Sequence, residues 1–486
     1  FITMKNRMSR LQLLFCILTF IAILPCAAQD TKSYAHTLEL RNSRMVPVEN
    51  RAIEIYDVVT PRTEIGQRLF KIHEHPAFDS LLTPEAEQRI LSEINLRCNK
   101  LDKDTLLTSD LIWVYRPYFD WLFNEDPHCR IEPMIPAKDV RETKRLKVPE
   151  FDVLCINDTL IVNQSLDPDY QTGDRILSVN DIPVSTFLEY TYPDRYDTPA
   201  NIMRHYYFSN VVDTFRIKLE RGGCIINTST AGDTQSRVVL KLKQQQALKV
   251  QTFPDAKSAC ITIPSFYPNN SWLIKKLHNQ IKKFKAIGIT NVILDLRMNP
   301  GGNGDRFDEL LSIFINRPSV KYLRKAKVKC SQKTIDLYDF LTEEMLGQTV
   351  ELPDNEIVRE FPLQSEMYID GMRYYVLMSR DTGSIAASFC NILQFNDAAS
   401  LVGEPLLHNA LKYGETVQGK TLLPTLLKQT GISIVEYDEY TRAVDGVLMP
   451  DIAIPYIACS VCFAIFITVL SGIESITDQL LIPTGV

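Results

Sequence analysis

The segment Asn291-Val-Ile-Leu-Asp-Leu-Arg-Met-Asn-Pro-Gly-Gly-Asn-Gly304 joins a short apolar run to a cluster of turn residues. A run of this kind bounded by Pro and Gly reads as a strand buried on both faces, the sort found in sheets covered by helices. On either side of it, strand and helix patterns alternate. They run through a strand at Ala259 to Ile263, a helix at Ser271 to Lys285 and the strand Val292 to Leu296. A helix at Asp305 to Ile315, a strand at Tyr374 to Met378 and a helix at Ser384 to Phe395 follow. Such alternation implies an α/β unit built on a mainly parallel sheet.

A second junction in this unit can carry chemistry. Gly383-Ser384-Ile385-Ala386-Ala387-Ser388-Phe389 places one hydroxyl where the strand Tyr374 to Met378 gives way to a helix. The strand fixes the serine backbone, and N–H groups of the first helical turn have no intrahelical partner and can face a developing oxyanion. A serine at a helix start is more often only a cap. The glycine turn Gly301-Gly302-Asn303-Gly304 could also hold a phosphate, but no Lys-Ser/Thr follows it, so no nucleotide loop is supported.

Upstream, Pro84 to Cys98 and Leu111 to Phe123 show apolar residues at helical spacing, which marks residues 29–145 as a helical N-terminal region. From about Val148 the pattern changes to short strands at Phe151 to Ile156, Thr159 to Val162, Arg175 to Val179 and Thr214 to Glu220. Residues 146–245 therefore read as a small β-rich module, ahead of an α/β domain at 246–456 and an apolar tail at 457–486.

At 486 residues the chain can bury several cores, and its net charge of −6 with interspersed signs leaves no basic face for nucleic acid. Lys5, Arg7 and Arg10 precede the apolar run Leu11 to Leu24 and the small residues Ala27-Ala28. That is the pattern of a secretory signal over residues 1–28, so the expected location is exported: periplasmic, cell-envelope or secreted. Eleven cysteines, nine of them beyond the signal-like region, leave at least one without an intrachain disulfide partner. Ile452 to Ile473 has no charged residue and is long enough to span a bilayer, so membrane association through this segment is weighed against a buried or irregular end.

Several segments, in order, resemble the tail-specific or C-terminal-processing serine peptidase family, in its tricorn-core-like branch. Ile261 to Phe266 resembles the strand entering the family's catalytic domain, and Ile293-Leu-Asp-Leu-Arg-Met-Asn-Pro-Gly-Gly302 its glycine segment. Thr382 to Phe389 and Ala399 to Pro405 resemble the nucleophile segment and the strand after it. Gly173-Asp174-Arg175-Ile176 and the residues up to Val184 resemble a PDZ domain signature. The resemblance implies a crotonase/ClpP-like mainly parallel sheet with helices, plus a PDZ-like module that would bind extended chain ends.

Carried over residue by residue, the resemblance makes Ser384 the nucleophile. One branch of the family activates it with a lysine after the Gly-Glu-Pro strand. Here that position is Asn409, with Lys412 three residues beyond. The other branch uses a histidine from an Asp-x-His segment, which Asn124-Glu-Asp-Pro-His128 resembles. His128 is thus the expected base, since an imidazole can accept and return a proton, and His408 is its rival. His73, His75, His205 and His278 are read as surface or packing residues.

The orienting carboxylate is sought before Pro450-Asp451: Asp445 stands nearest, with Glu439 and Glu436 as alternatives. Gly301 or Gly302, with Ile385, would hold the oxyanion. Asp295 and Arg297 read as a charge pair shaping the glycine turn. Ala387 stands where many family members carry glutamate. No metal or organic cofactor is required, and the partner is a peptide or protein. The competing expectation is a catalytically inactive relative that binds peptides. Acyl chemistry on a thioester is a third.

Overall fold

A computed structural model of the chain describes residues 46–47, 75–100, 105–106, 108–133, 147–156, 159–185, 214–234, 237–238, 249–266, 271–417, 421–423 and 427–454. The signal-like residues 1–28, the tail 457–486 and all but the first three residues of the apolar segment Ile452 to Ile473 lie outside them. Among the described residues, no helix is long and apolar enough to cross a membrane.

After a short helix at Phe78–Leu81 come two longer ones, α1 (Pro84–Lys100) and α2 (Thr108–Glu125). Thr83 Oγ1 accepts the Ala86 N–H at the start of α1. Glu85 and Glu87 in its first turn, with Arg97 and Lys100 in its last, complement the helix dipole. Helix α2 buries Tyr118, Trp121 and Leu122. It stops before Asp126-Pro127, because a residue preceding proline is disfavoured in the helical conformation.

An antiparallel sheet follows, formed by β1 (Phe151–Ile156), β2 (Thr159–Ser165), β3 (Arg175–Val179), β4 (Phe215–Arg221) and β5 (Cys224–Thr230), in the spatial order β5-β4-β3-β2-β1, with the short strand Ile182–Pro183 also paired to β3. Along β4, Phe215, Ile217 and Leu219 point into a core while Arg216 and Lys218 point to solvent, the period of two that a one-sided sheet demands. Asp174, at the turn before β3, is tied down by two 2.6 Å bonds from Arg221.

The main sheet comprises β6 (Lys249–Phe253), β7 (Ser258–Thr262), β8 (Asn291–Asp295), β9 (Arg373–Met378), β10 (Ser400–Gly403) and β11 (Ile452–Ala453), adjacent in that order. Every neighbouring pair is parallel except β6 with β7. Alternate residues feed two cores. Ala259, Ile261, Val292, Leu294, Val376 and Met378 pack in one cluster with side chains of α3 (Ser271–Ala286) and α4 (Ile385–Phe395), whereas Cys260, Ile293, Leu377 and Val402 form another. Burial on both sides explains the unbroken apolar runs of these strands.

A smaller antiparallel sheet of Thr349–Glu351, Leu323–Lys329, Ile432–Glu439 and Tyr413–Val417 stands beside this unit. Leu323-Arg-Lys-Ala-Lys-Val-Lys329 alternates well enough to be a strand, but its partner Ile432–Glu439 lies more than a hundred residues away, and a register shift falls between Leu323 and Lys325. The sequence patterns give no hint of that pairing.

Candidate active site

Parallel strands that end together present their following turns at one edge, and three such turns meet here through Asn299. The Asn299 side chain is fully buried. Its Nδ2 donates to the Ile263 carbonyl after β7 at 3.0 Å, its Oδ1 accepts the Gly301 N–H at 2.9 Å, and its carbonyl accepts the Gly383 N–H at 3.0 Å. Thr382 Oγ1 donates to the Leu296 carbonyl and Ser379 Oγ to the Arg297 carbonyl, closing the same junction. Asp295 and Arg297 form the expected pair, with guanidinium bonds of 2.9 and 2.8 Å.

Ser384 sits at the N-cap of α4 with φ 49° and ψ −130°. A non-glycine residue in this region costs about 1–3 kcal/mol and persists only where its surroundings hold it. The cap is not made by the hydroxyl, which hydrogen-bonds to no group among the described residues. Gly301, with φ 107°, lies directly against this turn: a Cβ added there would stand 2.7 Å from Ser384 Cβ and 2.8 Å from the Gly383 carbonyl oxygen. Only glycine lets the two turns approach so closely.

Gly302 bridges Phe266, but the bridge uses its neighbours, with the Phe266 N–H on the Gly301 carbonyl and the Asn303 N–H on the Phe266 carbonyl. The N–H groups of Gly302 and Ile385 thus have no acceptor among the described residues. Both residues line a cavity of about 140 Å³ together with Ser384, Tyr413, Tyr437 and Glu439.

Glu439 is almost fully buried there, accepting from Ser388 Oγ at 2.7 Å and from Asn391 Nδ2 at 2.8 Å. Burial pushes its carboxyl up to about 7, against the pull of those two hydrogen bonds. Ser388 lies one helical turn beyond Ser384, so the network is attached to the nucleophile's own helix. Ala387 is buried in the core behind it.

His128 is buried at the end of α2 and does not line that cavity. Its N–H donates to Asp126 Oδ1 at 2.9 Å, and its Nδ1 lies 3.3 Å from the same oxygen. The other carboxylate oxygen meets His75 Nε2 at 3.1 Å and Cys129 Sγ at 3.2 Å. His75 Nδ1 accepts the Ala77 N–H at 3.1 Å, so in its neutral form His75 carries its proton on Nε2, facing Asp126. Burial works to raise the Asp126 carboxyl. The hydrogen bonds and charges of His128 and His75 outweigh it and hold the group well below the usual carboxylate range.

His75, Asp126 and Cys129 offer ligand atoms within 4.8 Å of one another, a set that could hold a metal ion. Here His75 and Cys129 each bond the carboxylate directly. Tyr413 links the two assemblies, since it lines the Ser384 cavity and its ring meets that of His75 edge-on at 4.4 Å.

The structure therefore gathers Ser384, Gly302, Ile385 and Glu439 around one cavity, with Gly301 packed on the serine turn. It does not join Ser384 to His128 by a hydrogen bond. The carboxylate in contact with His128 is Asp126, not Asp445, Glu439 or Glu436. Asp445 is exposed in a tight turn between Val444 and Val447, with φ 48°. Glu436 is paired with Lys412 at 3.6 Å. That pairing and a position over the Tyr413 ring occupy Lys412, and His408 is exposed beside Gly446, so neither rival base lines the serine cavity. The signal for Asp126 lay in the sequence two residues before His128. The signals for His75 and for Asn299 as a hub did not, because their partners are contributed by the fold.

The model of peptidase family S41 matches residues 257–438. Among solved structures, mature CPAF is similar at 14% identity and a TM-score of 0.53, over 89% of this chain and 99% of that one. Mature CPAF complexed with lactacystin is similar at 13% identity and a TM-score of 0.54, over 86% and 98% respectively. At such identities the likeness concerns the fold. No curated protein matches the chain.

Proposed function

We propose, on the match of residues 257–438 to the model of peptidase family S41, an exported serine endopeptidase in which Ser384 attacks the scissile carbonyl and His128 takes its proton. The observation that carries this reading is the strained turn of Ser384, held against Gly301 beside two N–H groups that keep their donors for an oxyanion. A serine hydroxyl is too weak an acid to attack unaided, and an imidazole fixed by a buried carboxylate is suited to accept and return the proton. Asp126 orients the ring and would stabilise the imidazolium. Catalytic hydrogen bonds are often long before substrate is bound, so the Ser384 to His128 bond belongs to the Michaelis complex. Attack would give an acyl-enzyme, which water then cleaves.

Glu439 completes the reading on the other side of the nucleophile, where its network sets the position of α4 and its carboxyl borders the cavity. The antiparallel module β1 to β5 is assigned a PDZ-like role, holding an extended segment of the substrate at a sheet edge. The basic and apolar pattern at residues 5–24, followed by small residues, supports export.

A second reading is favoured by the unpaired Ser384 hydroxyl: an inactive relative that holds peptides in the cleft. A fluorophosphonate probe separates the two. Wild type should label and Ser384→Ala should not, while His128→Ala should slow labelling by at least about 10³-fold. Unlabelled wild type would leave the peptide-binding reading, and unchanged labelling of His128→Ala would remove that residue from the mechanism.

A further inference from the structure

A second cavity, of about 340 Å³, shares Leu411, Tyr437 and Glu439 with the serine cavity and is lined by Arg324, Lys325, Lys327 and Lys412 against Glu436 and Asp438. Its charges do not balance. Lys325 lies opposite Asp438 and Lys327 opposite Glu436 in the antiparallel pair of Leu323–Lys329 with Ile432–Glu439. Both acids, however, have other cations. Asp438 Oδ1 takes bonds of 2.9 and 2.5 Å from Arg324, and Glu436 pairs with Lys412 at 3.6 Å.

Lys325 and Lys327 are half-buried and have no ion-pair partner among the described residues. Glu439 offers them little, since its carboxylate is engaged by Ser388 and Asn391. Two half-buried lysines without an acidic partner beside a concave surface favour an anion, and a carboxylate between their ammonium groups would gain from both.

We propose that this cavity is a substrate subsite for a carboxylate, carried by the same peptide whose scissile bond lies over Ser384. The proposal rests on the peptidase reading. The shared wall of Leu411, Tyr437 and Glu439 makes the two cavities neighbours, so an extended peptide crosses from one to the other within a few residues. Two sources supply the group: an acidic side chain near the scissile bond, or the chain's own terminal carboxylate.

The test uses the full chain and matched quenched fluorogenic peptides in three forms: a neutral amidated one, one with Gln replaced by Glu, and one with a free carboxyl end. The expected result is a kcat/KM about tenfold higher for one or both acidic forms than for the neutral amide, the equivalent of about 1.4 kcal/mol. The better arm identifies the source. Lys325→Glu with Lys327→Glu should reverse the preference toward a Lys-bearing peptide, and Lys327→Gln alone should reduce it. The wild-type comparison needs no substitution, so a poorly folded variant cannot mask the answer. Hydrolysis of all three forms at one rate overturns the subsite. Failure of wild type to hydrolyse any form or to take the fluorophosphonate label overturns the peptidase reading, and the subsite with it.

Discussion

At the scale of single residues, the two carboxyls nearest the proposed chemistry are driven in opposite directions. Asp126 is held ionised by two imidazoles, while Glu439 is buried with only neutral donors and is pushed up to about 7. A carboxyl raised in the folded state above its ordinary 4.5 favours the fold most when protonated. Between those values the folded chain binds the extra proton, so stability falls as pH rises from about 4.5 to about 7 and is level above. Asp126 has the reverse sign: its contribution is present above the ordinary carboxylate range and is lost only in strong acid, so it does not move within that window. Glu439→Gln should therefore flatten the pH dependence between pH 5 and 7.5, removing a slope worth at most about 3 kcal/mol. Urea midpoints of both chains at several pH values measure it, and parallel slopes would mean that Glu439 is not protonated in the fold.

At the scale of elements, Asn299 locks together the turns after β7, β8 and β9. Asn299→Ala leaves the Ile263 carbonyl and the Gly301 N–H buried without those partners, a cost of about 1–3 kcal/mol for each unsatisfied group. It should lower the thermal midpoint and slow fluorophosphonate labelling together. Loss of stability with unchanged labelling would show that the serine turn holds itself. The elements themselves were legible in the sequence: β1 and β3 have the expected bounds, and β7, β8, β9, α3 and α4 lie within a residue or two. Their signals are local, being apolar runs, alternation and glycine turns. The turns that carry Ser384 and Gly301 were legible for the same reason. The sheet of Leu323–Lys329 with Ile432–Glu439 was not, because strand pairing across a hundred residues leaves no local mark. The Pro450-Asp451 landmark points downstream to Asp445, whereas contact with His128 is decided by the turn at Pro127 that places Asp126.

At the scale of the whole molecule, the proposed site depends on docking an N-terminal helix against a domain that follows it by more than a hundred residues. Several bonds make that connection among the described residues. Asn409 Nδ2 donates to the Glu125 carbonyl at 3.0 Å, Thr349 Oγ1 to the Pro76 carbonyl at 3.2 Å, and the strand Arg130–Pro133 pairs with Leu427–Thr430. The Asn409 bond spans 284 residues of chain and ends one residue before Asp126. Asn409 also has φ 59°, which asparagine tolerates and alanine does not. Asn409→Gly therefore keeps the backbone conformation and removes only the tether, leaving the Glu125 carbonyl to find another partner. Its stability cost should be small, about 1 kcal/mol, since one hydrogen bond is lost without strain. The effect on reactivity should be larger, because a displacement of about 1 Å between base and nucleophile can cost 10²-fold. Labelling of Ser384 should slow by tenfold or more while the thermal midpoint moves by only a few degrees. A labelling rate equal to wild type would mean that His128 reaches the serine without this tether, and the remaining contacts, among them Thr349, the Arg130–Pro133 strand and the His75–Tyr413 rings, would then hold the two parts in register.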